Sequence, residues 1–198
     1  MVEGYKHTEI GVIPDDWELV SYENAFRFMS TASYSKAELV SYSEYKYIHY
    51  GVIHTDLKHF LDFNIYNPKC IRRKQLLSYS LIKEGDVIMA DASEDYSGVG
   101  ESVEVKNIKN IVAISGLHTF LLRDKGFFKN GFKGYIHTNF IVKSQLIRLA
   151  TGLKVYGITK GNLKLVQIPL PPLPEQKAIA AVLSDTDELI HTLEKCIS

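Results

Sequence analysis

The sequence predicts an α+β fold, a sheet-rich domain followed by a long C-terminal helix of coiled-coil type, and three observations carry that prediction. Short apolar or alternating runs bounded by turn residues recur through the middle of the chain, at residues 87–90, 102–105, 111–114 and 117–122, as strands require. One longer stretch, residues 135–150, has the apolar spacing of a helix. Near the end, Ile179, Leu183, Thr186, Ile190, Leu193 and Ile197 recur at intervals alternating between four and three, the narrow seam of a helix that pairs with another helix. The same spacing would also suit an amphipathic helix docked on its own domain.

In chain order, residues 10–14 form an extended segment ending in the Pro14-Asp15-Asp16 turn. Trp17 and Leu19 then open a strand that gives way to a short helix before Phe28, with Trp17 placed in the core. Tyr42, Tyr45, Tyr47 and Tyr50 lie among polar residues, and Tyr45, Tyr47 and His49 alternate as in a strand up to the break at Gly51. They read as strand residues with hydroxyls outward, stacking on nucleic acid being the other use of such rings. His49, His54 and His59 are five apart. That spacing shares neither a helix face nor a strand face, so they are expected in loops and on the surface rather than around a metal. Arg72, Arg73 and Lys74 are adjacent cations at the start of a segment leading to Leu81 and Ile82. They are a candidate phosphate clamp, or the solvated guard of an edge strand.

Lys83-Glu84-Gly85-Asp86 marks a turn before the apolar run 87–90, which has the character of a buried strand. The loop at 91–100 is the most distinctive of the chain: Asp91, Ser93, Glu94, Asp95, Tyr96 and Ser97 set short hydrogen-bonding side chains beside Gly98 and Gly100 at the end of a rigid strand. Carboxylates accept from a cytosine amino group, and Ser or Tyr hydroxyls reach bases or phosphates. Asx-type turns that only close the connection would use the same residues. In the helix expected at 135–150, Ile136, Phe140, Leu146, Ile147 and Ala150 face one way and His137, Ser144, Gln145 and Arg148 the other, with Gly152 as its stop. Lys154, just past that end and flanked by glycines, is a candidate phosphate contact. Thr159 caps a short turn reaching Leu163, ahead of an exit strand over 165–168. Pro169, Pro171, Pro172 and Pro174 fix φ and lack N–H groups, so 168–173 is extended. Pro174 then suits the first turn of the last helix, where Glu175 meets the positive end of its dipole.

A chain of 198 residues that is 45% hydrophobic and 23% charged is globular material, here one domain with a helical appendage. No stretch approaches the roughly 18 consecutive apolar residues of a membrane helix, and the N-terminus lacks the apolar centre of a signal peptide. A cytoplasmic protein, not bound to membranes, is expected. Cys70 and Cys196, far apart and outside any Cys-x-x-Cys, indicate neither a disulfide framework nor a zinc site. The formal net charge is zero, yet residues 1–23 carry a balance of −5 and 175–198 one of −3, leaving +8 on residues 24–174. A basic body between acidic ends suits phosphate contact, since each neutralised phosphate releases counterions.

The run I-P-L-P-P-L-P-E-Q-K-A-I-A at 168–180, followed by V-L-S-D-T-D-E-L-I, resembles the conserved region of specificity subunits of Type I restriction-modification systems. T-E-I-G-V-I-P-D-D-W at 8–17, E-G-D-V-I-M-A-D-A-S-E-D-Y at 84–96, G-L-H-T-F-L-L-R at 116–123 and A-T-G-L-K-V-Y-G-I at 150–158 are similar too, so the likeness spans nearly the whole chain. It implies a target-recognition domain at 1–168 and a Pro-rich lead-in with a spacer or dimerisation helix at 169–198. It also implies a protein that reads one half of a bipartite site in double-stranded DNA for a methylation subunit and a restriction subunit. No cofactor is expected in this chain, since S-adenosylmethionine, ATP and Mg²⁺ would belong to those partners. The family pattern has two recognition domains and two spacer helices where this chain has one of each. The seam residues Ile179, Leu183, Ile190, Leu193 and Ile197 would therefore pair with a second recognition half or a second copy of the chain.

Two other classes compete. Asp86 or Asp91 with Glu104-Val105-Lys106 imitates the acidic and Glu-x-Lys set by which nucleases hold Mg²⁺ beside a lysine, a pattern short enough to arise by chance. A purely structural coiled-coil module accounts for the seam but leaves the basic body without a use. The sequence contains no Gly-rich phosphate loop, G-x-S-x-G or Asn-Pro-Pro-aromatic motif, and a non-catalytic DNA binder is the reading adopted.

Overall fold

The computed structural model describes residues 3–72 and 78–197. In chain order the elements are β1 (Tyr5–Thr8), β2 (Gly11–Pro14), β3 (Glu18–Ser21), α1 (Tyr22–Ala25), β4 (Phe26–Met29), β5 (Tyr45–Ile48), α2 (Tyr50–Thr55), β6 (Phe60–Asp62), β7 (Cys70–Ile71) and β8 (Val87–Ala90). There follow β9 (Ala92–Ser93), β10 (Ser102–Lys106), β11 (Val112–Ser115), β12 (Thr119–Asp124), α3 (Phe140–Leu149), β13 (Tyr156–Gly157), α4 (Lys160–Leu165), β14 (Gln167–Leu170) and α5 (Leu173–Ile197). The result is an α+β fold, sheet-rich with a long terminal helix.

The central sheet has the order β4-β12-β8-β10-β6, antiparallel except where β10 meets β6. A second sheet, β11-β5-β7, lies beside it. Strand β8 explains its own apolar run: Val87 and Met89 enter one hydrophobic core, Ile88 and Ala90 another. Both faces are covered, so alternation between polar and apolar residues disappears. One core also takes in Phe26 from β4 and Phe132, Leu146, Leu163 and Ala180 from the helical side, while Ile53, Leu61, Val103, Val105 and Leu121 fill the other.

The expected turn at 83–86 is present, with Gly85 at φ 74°. Thr159 caps α4 by accepting from the Asn162 N–H at 3.1 Å. The helix expected over 135–150 is corrected. Lys133–Thr138 forms a 3-10 turn, and Asn139 breaks it by capping α3 with its side chain, which accepts from Ile141 at 2.9 Å and Val142 at 3.4 Å. Apolar phase is therefore not carried across residue 139: Phe140 is 83% exposed, and His137 and Gln145, expected outward, are buried.

Pro169 pairs opposite Leu19 in the β14–β3 ribbon, and the chain turns into α5 with Pro174 in the first turn. Trp17, expected in the core, is half-buried instead and donates its indole N–H to Glu175 at 3.0 Å. A ring with a polar edge fits such a junction better than a dry interior. Next to it, fully buried Gln176 donates to the carbonyls of Phe127 at 3.1 Å and Pro171 at 3.0 Å and accepts from the Lys129 N–H at 2.9 Å. The root of α5 is thus bolted to the domain.

Candidate nucleic-acid interface

Buried β8 is followed by Asp91, whose backbone carbonyl accepts from Ile158 at 2.8 Å. One residue on, β9 pairs with β13, Ser93 opposite Tyr156 and Ala92 opposite Gly157. Two sequence-predicted pieces, the 91–100 loop and the segment carrying Lys154, are thereby brought together. The loop folds on itself: Asp95 accepts from the Ser97 hydroxyl at 2.6 Å and the Gly98 N–H at 2.7 Å, which hold its carboxyl below the usual range. Gly98 is required there, since a Cβ would lie 2.2 Å from Ser93 Oγ.

Consequently the loop residues divide. Glu94, Tyr96 and Ser97 reach solvent, whereas Ser93 is buried and Asp95 is engaged by the loop's own turn. Tyr96 stacks on Tyr156 with ring centroids 3.8 Å apart. Lys154 stands exposed on a hairpin closed by paired backbone bonds between Thr151 and Gly157, 2.9 and 2.8 Å.

Across from the loop, α2 supplies the other wall of a polar cleft of about 340 Å³ lined by Lys36, Tyr50, His54, Ser93, Asp95 and Glu101. His54 ties the walls together, with Nδ1 3.0 Å from Glu101 and Nε2 2.9 Å from the Ala92 carbonyl. A carboxylate and a carbonyl both accept, so an imidazolium satisfies both. The hydrogen bond that His54 donates to Glu101 raises its pKa against the opposing effect of burial. Asp91 meets His118 at 3.1 Å, its pKa raised by burial and only partly restored by that histidine. The sequence does not single out Lys36, Glu101, His118 or Tyr156, and it places Tyr50 among strand tyrosines that could stack on nucleic acid and His54 among surface histidines. Glu101 lies 47 positions from His54, a separation no local pattern spans.

Other expectations are corrected. His49 is buried and caps α2, accepting from Gly51 at 3.1 Å, and His54 and His59 are half-buried between elements rather than on the surface. Tyr47 points its hydroxyl inward, donating to the Tyr34 carbonyl and accepting from the Leu117 N–H, both at 2.8 Å. The strand there is covered by loops on that side. Arg72 is exposed at the end of β7, an edge strand of the second sheet, and is not among the residues lining the cleft. Arg73 and Lys74 lie outside the described residues.

The nuclease-like set is not assembled. Asp86 is held by Arg123 through bonds of 2.8 and 2.7 Å. Glu104 is buried against Lys133 at 3.0 Å and accepts from the Gly131 and Gly134 N–H groups, while Lys106 lies over the Phe60 ring. Asp91 is engaged with His118. Among the described residues no cluster of three His, Cys, Asp or Glu is arranged to hold a metal ion, and no helix is long and apolar enough to cross a membrane.

The seam divides as well. Ile179 packs on the core, and Leu183 borders an apolar cavity of about 250 Å³ with Trp17 and Tyr135, so both face their own domain. Ile190 is 39% exposed, Leu193 53% and Ile197 86%.

The domain thus carries a polar cleft on buried strands, and its proline-led helix leaves from a root fixed to the domain by Trp17 and Gln176. Residues 14–198 match the family described as Type I restriction modification DNA specificity domain, and the chain belongs to that family. It is 30% identical to the putative type I restriction enzyme MjaX specificity subunit of Methanocaldococcus jannaschii, over 98% of this chain and 45% of that protein. Against the EcoKI specificity subunit of Escherichia coli K12 the identity is 21%, over 87% of this chain and 36% of that one. The HsdS subunit of Thermoanaerobacter tengcongensis shares the fold at a TM-score of 0.62 and 19% identity, over 99% of this chain and 43% of that one. This chain spans less than half the length of those relatives.

Proposed function

We propose that residues 1–168 read one half of a bipartite site in double-stranded DNA for a Type I restriction-modification complex, and that residues 169–198 connect this domain to a second recognition half or a second copy. The chain performs no chemistry. S-adenosylmethionine would be bound by a methylation subunit, ATP and Mg²⁺ by a restriction subunit, and the complex would act in the cytoplasm. The observation that carries this reading is the polar cleft between the 91–100 loop and α2, with the Lys154 hairpin tied to the base of that loop by the pairing of β13 with β9. Hydrogen-bonding side chains of both signs there rest on strands too well buried to shift, as base reading demands. Lys36 and Lys154 supply charge for phosphates, which position the duplex without specifying it.

The test is to map methylated sites in the assembled complex. Exchanging Glu94 and Tyr96, the loop residues that reach solvent, is expected to change one half-site while assembly is retained. Replacing Lys36 and Lys154 by alanine is expected to weaken binding about equally on all sequences and to flatten its salt dependence. Unaltered site choice with both loop residues exchanged, or binding insensitive to salt, would overturn the reading.

A further inference from the structure

Midway along α5, Asp187 joins the helix to the domain, and just beyond it Ile190, His191 and Glu194 border a groove beside Lys58, His59 and Phe60. The Asp187 carboxylate accepts from the Tyr135 hydroxyl at 2.9 Å, lies 3.6 Å from His59 Nε2 and 3.9 Å from Lys58 Nζ. Tyr135 is itself buried and wedged between the rings of His59 and Phe60, with centroids 4.6 and 5.3 Å away, so its hydroxyl is a fixed donor. From residue 188 to 197 every position of the helix is exposed. The helix is therefore held at two points, the Trp17–Glu175 and Gln176 bonds at its root and the Asp187 contact about 17 Å along at 1.5 Å per residue. One point fixes where a rod starts. The second fixes where it points.

We propose that Asp187 is a positioning residue that sets the direction in which the free part of the helix leaves the domain, and so the separation of the two DNA half-sites. The inference rests on the reading of this helix as a spacer. The lever beyond Asp187 is about 15 Å long, so a tilt of about 15° at that point moves its end by about 4 Å. That is close to the ~3.4 Å rise of one base pair. An orientational error that would leave folding intact is thus large enough to change spacer length by a base pair.

Two measurements test it. In the first, nitroxide labels are placed on exposed Cys196 and at exposed position 109 in a Lys109→Cys chain, Cys70 being buried, and the full chain is diluted with unlabelled protein for double electron–electron resonance. A single narrow distance is expected for the otherwise unaltered chain. Asp187→Ala should more than double its width with helix content unchanged. Tyr135→Phe, which removes only the donor, should broaden it less, and Asp187→Asn, which keeps an acceptor for Tyr135, least. A distribution as narrow in Asp187→Ala as in the parent, or one already broad in the parent, overturns the proposal. In the second, sites methylated by the assembled complex are mapped: Asp187→Ala should keep both half-site sequences but admit spacers a base pair longer or shorter. Retention of one spacer overturns the link to DNA spacing. A parent complex that methylates no bipartite site would overturn the proposed function instead, leaving the distance result to stand by itself.

Discussion

The two halves of α5 are built from one heptad pattern and live in different surroundings. In the first half, Gln176 is fully buried, Ala180 nearly so, and Ile179 packs on the core of the domain. In the second, Leu189, Ile190, Leu193 and Ile197 are exposed by 39% or more. The seam runs through both without a change of spacing. Periodicity thus states that a helix has an apolar side, and only the surrounding chain states what covers it. The first half is anchored in this domain by buried side chains, while the second keeps an exposed apolar side, with only Ile190, His191 and Glu194 bordering a groove on the domain.

The largest effect should come from the floor beneath the docked half. The 3-10 turn Lys133–Thr138 carries Tyr135 up to the helix and is pinned by buried Lys133 against buried Glu104 at 3.0 Å. Glu104→Ala would leave an ammonium and two backbone N–H groups buried without the carboxylate. A loss of about 3–5 kcal/mol is expected for breaking one side of such a pair, measured by urea unfolding. Gln176→Ala comes next. It strands the Phe127 and Pro171 carbonyls and the Lys129 N–H, at about 1–3 kcal/mol. If either variant unfolded like the parent, the docked half would be no more part of the domain than the free half.

Acid should separate the floor from the cleft. Burial drives the His137 pKa down to about 3 and lowers that of His59 as well. In the unfolded chain both take up protons as the pH falls through about 6.5, while in the folded chain His137 does so only near 3 and His59 at a lower pH than usual. Stability contributed by His137 is complete above that pH and is lost at about 1.4 kcal/mol per pH unit on descending toward 3. His54 in the cleft has the opposite sign. Its pKa is raised by Glu101, so its contribution is complete below about 6.5 and fades as the pH rises through the folded value. His137→Gln should flatten the acid limb of a stability–pH curve, and His54→Gln should lower stability below about 6.5 with a loss that shrinks as the pH rises through the folded value.

How much of this was legible follows from the range of each interaction. The Lys83–Asp86 turn, the doubly buried strand after it, the Thr159 cap and the helix start at Pro174 are set by residues within four positions of one another, and each is where the sequence places it. The bond from Trp17 to Glu175 spans 158 positions and that from His54 to Glu101 spans 47. Neither has a local signature, so the sequence places Trp17 in the core and His54 on the surface. Asn139 misled in another way. Its side chain stops one turn and starts the next, and a pattern of apolar spacing read across it joined two elements of different phase. In the candidate site, the sequence reads the loop as polar residues at the end of a buried strand, but it does not show that Asp95 closes the turn while Glu94 and Tyr96 face outward.

The smallest effect on the single chain should accompany the sharpest difference between the halves. Ile190→Asp with Leu193→Asp places two charges on a surface already open to water, so the unfolding free energy of the isolated chain is expected to change by no more than about 0.5 kcal/mol. In a paired helix those carboxylates would be buried in the seam without partners, and association through α5 should be lost, as light scattering or sedimentation would register. Ile179→Asp, at an equivalent seam position in the docked half, should reverse the pattern and lower the stability of the single chain, because its side chain meets the core of its own domain. An Ile190 and Leu193 double variant that destabilised the isolated chain would mean that the outer half docks on the domain in solution. One that still associated would mean that the partner meets some other surface. Either result would erase the contrast between the two halves.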